Sequence, residues 1–116
     1  ELNSCIGSKQ MEDIENLLSI QKKNAVVWDA KLANLADVVP LASTVDTSPN
    51  YWVYGTLCQN KKEAIKDFKE SGFYATGVHI NNNLYSVFNN KISLAGVNEF
   101  MNHFVAIPCG WWFDNK

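Results

Sequence analysis

The 116-residue sequence predicts an α+β domain, a small, mostly antiparallel sheet covered by helices. Three observations predict it. Residues 26–40 carry apolar side chains at helical spacing and end at Pro40. Short runs rich in aromatic and β-branched residues, such as Tyr51, Trp52, Val53 and Tyr54, read as strands. Further helical patterns are interspersed with those runs, and the length fits one domain over 1–116.

The elements follow in order. Ser8 suits the N-cap of a first helix, with Glu12 and Asp13 near the positive end of its dipole. Met11, Ile14, Leu17, Leu18 and Gln21 define its inner face, and Lys22 and Lys23 suit its C-terminal end. A short connection through Asn24 leads to the central helix. There Asp29 is the expected N-cap, and Trp28 folds back onto Ala33 as a hydrophobic staple. Trp28, Leu32, Leu35, Ala36 and Val39 make one apolar stripe, and Pro40 stops the helix near Val38. Residues 41–50 dissolve into Ala, Ser, Thr, Asp and Pro and read as a loop. A strand at 51–54 ends at Gly55. Asn60 and Glu63 have capping-box spacing, opening a helix over 61–71 with Gly72 as its stop. Residues 73–80 and 84–88 form a hairpin around three asparagines, Asn81 to Asn83. Ser93 leads into Leu94, Val97, Phe100, Met101 and Phe104 at helical spacing, and 105–113 close the chain as a last strand.

The formal net charge is −2, with acids and bases mixed, which argues against nucleic acid bound through phosphates. All ten basic residues are lysine, so the chain has no guanidinium fork for bidentate anion recognition. No apolar run approaches the ~20 residues of a membrane span. The first residue is Glu1, which fits either a removed signal peptide or a trimmed end. Cys5, Cys58 and Cys109 lack the close pairing of a zinc or redox motif. They fit an exported protein with one disulfide, Cys58 to Cys109, worth up to ~4 kcal/mol on the chain-entropy argument. Cys5 is left to pair elsewhere, including with a second copy in a disulfide-linked homodimer. Three buried thiols in an intracellular protein is the competing reading. No Asn-x-Ser/Thr sequon occurs.

Val27, Trp28, Asp29, Leu32 and Ala33 resemble the Leu-x-Trp-Asp-x-x-Leu-Ala helix of the CAP superfamily, the secreted cysteine-rich secretory, venom-antigen and pathogenesis-related proteins. Ala64 and Phe68 are similar to that family's Ala-x-x-x-Trp helix, and Ile107, Pro108, Cys109 and Gly110 to its Ile-Gly-Cys-Gly strand. The resemblance implies an α-β-α sandwich and a short CAP-like domain over 1–116. The family's metal-holding cleft does not carry over: its histidine and glutamate positions fall at Gly96, Thr56 and Ser71, with Glu70 one residue away.

Candidates for chemistry are few, and neither a cofactor nor a metal is expected. His79 and His103 with Cys109 or Asp114 have no zinc-site spacing. Cys109 with His103, or His103 with Glu99, is the conceivable hydrolase centre, and it requires an activated thiol or base. The aromatics are the stronger feature. In the runs 51–54 and 111–113, strand alternation sends one or two rings inward and leaves others outside. Helices on both faces of the sheet would bury nearly all of them. Otherwise Trp52, Tyr54, Trp111 and Trp112 form a surface for a protein partner or a lipid-like ligand. The sequence reading is therefore a secreted, non-enzymatic CAP-like binding protein, with the Cys109–His103 hydrolase and the Cys5-linked homodimer as alternatives.

Overall fold

In the computed structural model, residues 1–88 and 92–113 are described. At its centre are three antiparallel strands in the order β1–β2–β3: β1 (Val38–Pro40), β2 (Val53–Cys58) and β3 (Phe104–Pro108). The register sets Val38 against Cys58, Tyr54 against Ile107 and Thr56 against Val105. Directly paired residues share a face, so Tyr54, Thr56, Cys58, Val105 and Ile107 line one side, and all five are buried. Thr56 is tolerated there because its hydroxyl donates to the Val105 carbonyl at 3.1 Å.

Four helices complete the α+β fold: α1 (Leu2–Met11), α2 (Ile14–Leu32), α3 (Lys61–Glu70) and α4 (Ala95–His103). The long α2 buries Gln21, Asn24, Ala25, Trp28 and Leu32, a single stripe at helical spacing. This corrects the expected break at Asn24 and the N-cap at Asp29. Asn24 lies mid-helix because its amide donates to the carbonyls of Cys109, Gly110 and Phe113, so burial leaves it satisfied. Ser8 likewise lies inside α1 and caps nothing. The helix ends at Leu32, not Val38. Leu35 and Val39, assigned to the apolar stripe, are exposed, and Val38–Pro40 becomes an edge strand, where proline costs no ladder bond.

Trp28 joins the layers. It is 2% exposed, and its ring meets Phe73, Phe113, Phe68 and Tyr54 at centroid distances of 4.9, 5.7, 6.2 and 6.5 Å. Its indole N–H donates to the Pro108 carbonyl at 2.8 Å. It is therefore a core residue of the helix interior, not a staple outside a cap. Ala64, Ile65 and Phe68 of α3 pack beside it against Cys58, Ala75 and Val105. The Asn60 cap is as expected: its side chain accepts from the Glu63 amide and donates to the Glu63 carboxylate. Gly72 ends that helix at φ +88°.

The expected hairpin at 73–88 does not form. Thr76 instead exchanges two backbone bonds with Ala106 on the outer edge of β3, and Asn82–Leu84 is one 3-10 turn. Pairing with a strand already in the sheet satisfies Thr76 without a second ribbon. The helical spacing near Val97 and Phe100 does form α4.

Candidate functional site

An open groove of about 770 Å³ lies between the end of α2, the start of β1, and α3. Its floor is Val38, Cys58, Ala64 and Phe68, and its charged lining residues are Asp37, Glu63 and Asp67. No cation lines it. The groove therefore suits neutral or cationic groups and repels phosphate. Among the described residues no cluster of His, Cys, Asp or Glu is arranged to hold a metal ion. Asp114, weighed above as a ligand, lies outside the described residues. Sequence reasoning missed this groove, because its acids come from two separated segments and carry no motif.

A second, smaller depression of about 270 Å³ is lined by Leu41, Pro49, Tyr51 and Trp52. Trp52, Trp111 and Trp112 are each about half exposed, and the last two touch edge to face at 5.9 Å. Tyr54, grouped with them above, is buried: its hydroxyl donates to the Asp29 carboxylate and its ring stacks on Tyr51. Burial, then that hydrogen bond and the Asp29 charge, push its phenol well above the usual range.

The expected Cys58–Cys109 disulfide is corrected. All three cysteines are free, Cys5 exposed and the other two buried. Cys58 and Cys109 lie beyond opposite ends of the β2–β3 ladder. That places them roughly 16 Å or more apart, against the ~6 Å a disulfide bridges. The expectation of export drew on that disulfide. The thiol–histidine hydrolase fails on the same geometry, because β3 separates His103 from Cys109. Burial, with the Asp29 charge second, pushes the Cys109 thiol up to about 11, and burial raises Cys58 as well. His103 is a helix-end residue whose Nδ1 lies 2.8 Å from the Cys58 carbonyl and whose Nε2 lies 3.3 Å from Glu99. His79 is exposed in the segment after Thr76. No helix among the described residues is long and apolar enough to cross a membrane.

No protein-family model matches the chain, and no curated protein does. Solved structures do match. A sugar aminotransferase of Micromonospora echinospora superposes with a TM-score of 0.85 at 24% identity, over 95% of this chain and 30% of that one. A Streptococcus pneumoniae protein described as a sugar aminotransferase, in its PLP form, gives 0.78 at 16% over 94% and 30%. A DegT DnrJ EryC1 StrS aminotransferase from Brucella abortus gives 0.77 at 9% over 92% and 30%. The chain thus has the fold of about a third of these proteins. This overturns the CAP resemblance, and with it the non-enzymatic CAP-like binding protein. The Trp-Asp motif that carried the resemblance is, physically, a core tryptophan and a carboxylate bound to Tyr54 in the last turns of α2.

Proposed function

We propose that this chain is the small α+β domain of a longer, aminotransferase-type enzyme acting on a sugar, and that the reacting groups reside in the rest of that enzyme. The observation carrying this reading is one of proportion. Nearly the whole chain superposes on only 30% of the length of each of these aminotransferases.

A pyridoxal phosphate cofactor requires an anion cradle for its phosphate and a lysine amine for its aldehyde. The two concavities described above do not fit it. The groove beside α3 has carboxylates as its only charged groups, and no lysine lines either concavity. Lys61 donates to the Met101 carbonyl, Lys31 lies over the Trp28 and Phe73 rings, and Lys69 lies over Tyr74. What these residues do is structural: Trp28 and Asn24 lock α2 to the β3 end, giving a rigid body for the rest of the enzyme to close upon.

Borohydride reduction tests the reading. The native protein is captured with an antibody to this chain, reduced, and mapped by peptide mass spectrometry. The expected result is a polypeptide several times the 13.0 kDa of this chain, with a phosphopyridoxyl-lysine outside residues 1–116. A native polypeptide of 13.0 kDa, or the adduct on a lysine of this chain, would overturn it.

A further inference from the structure

We infer that the apolar face built by residues 78–88 and 92–100 is where the remainder of the longer polypeptide docks; this rests on the reading above. The face is rich in exposed apolar side chains. Leu84, Tyr85, Val87, Phe88, Ile92 and Phe100 are all exposed, Val87 by 79% and Leu84 by 69%. From Phe73 to Phe104 the sequence holds only two charged residues, Lys91 and Glu99, whereas α3 holds seven in its ten. Charge depletion beside exposed aromatics is the composition of an interface core, and α3 has that of a solvated surface.

The face is also held in shape. The Asn81 amide donates to the Asn98 side chain at 2.8 Å, Asn98 donates to Ser93 at 2.9 Å, and Asn83 donates to the Ile92 carbonyl at 3.1 Å. Val78, at its start, is held at φ +52°, a conformation β-branched residues seldom adopt. Such strain persists only where the surroundings over-determine it. A preformed apolar face suits a permanent partner.

The occupant follows from proportion and chemistry. Chains with this fold carry more than two-thirds of their length outside it, and that mass has to meet this domain across some surface. A lipid surface would call for a fringe of basic residues, and the stretch offers Lys91 alone.

Hydroxyl-radical footprinting of the native protein tests the inference, each residue normalised to its own labelling in urea. Trp52 and Phe88 are equally exposed in this chain, at 53%, so they form an internal pair. Docking predicts that Tyr85, Phe88 and Phe100 lose labelling to the level of the buried Trp28, while Trp52 keeps its labelling. Labelling of Phe88 on a par with Trp52, in a polypeptide shown by mass to be longer, would overturn the docking face and leave the domain reading intact. A native mass of 13.0 kDa would sink the domain reading itself. Protection at that mass, with two copies recovered by cross-linking, would assign the face to a second copy and overturn the inference.

Discussion

Cys109 shows how one buried group couples the core to pH. It is fully buried, its thiol donates to the Gln21 carbonyl at 3.5 Å, and its ionisation is pushed up to about 11. The unfolded thiol ionises near its ordinary value of 9.0. Between the two, the unfolded chain sheds a proton that the folded chain keeps. Stability from this group is therefore whole below about pH 9 and declines as pH rises towards about 11. Tyr54 is raised too and adds the same sign at higher pH. Urea midpoints measured from pH 7 to 10 are expected to hold and then fall above pH 9, and Cys109→Ala to flatten that fall. Equal slopes in both proteins would show that the thiol stays ionisable in the fold. Trp28 belongs at this scale as well. The sequence marks it as central, and it is, but as the hub of an aromatic cluster on the sheet and not as a cap staple.

Among the elements, α2 separates what the sequence reveals from what it conceals. Gln21, Asn24, Ala25, Trp28 and Leu32 keep one helical period, but two of the five are polar, and a buried polar residue reads locally as a break. Only its distant acceptors at Cys109, Gly110 and Phe113 make Asn24 a core residue. The α3 cap was legible because Asn60 and Glu63 lie within one turn and need nothing from elsewhere. The hairpin was not, since Thr76 finds its partner thirty residues away, at Ala106. The groove escaped for the same reason, as it joins Asp37 to Glu63 and Asp67. Asn24→Ala decides between hinge and core. Alanine raises helix propensity by at most about 0.7 kcal/mol, whereas stranding the carbonyls costs about 1–3 kcal/mol. Net destabilisation is expected in urea titration. A neutral or stabilised variant would mean that Asn24 carries no tertiary load.

For the whole molecule, the α3 side and the 78–100 side contrast in charge. The α3 side, with ion pairs such as Lys66–Glu70, is finished for water. The face around Val87 and Phe88 is not, and an isolated 116-residue chain has to leave it bare. Exposed apolar patches of this kind drive association, and excluded salts strengthen that drive. Purified alone, the chain is expected to sediment as concentration-dependent oligomers, more so in ammonium sulfate. Val87→Asp combined with Leu84→Lys should shift it towards monomer. Both side chains lie outside the two buried clusters, so the urea midpoint should move by no more than about 0.5 kcal/mol. The same pair placed in the longer polypeptide should do the reverse. It would bury two charges at the docking face, with losses on the order of several kcal/mol, read as a separate early melting transition for this domain. Monomeric behaviour of the unaltered chain at every concentration, or a longer polypeptide indifferent to the two charges, would mean that the apolar face is finished for water after all.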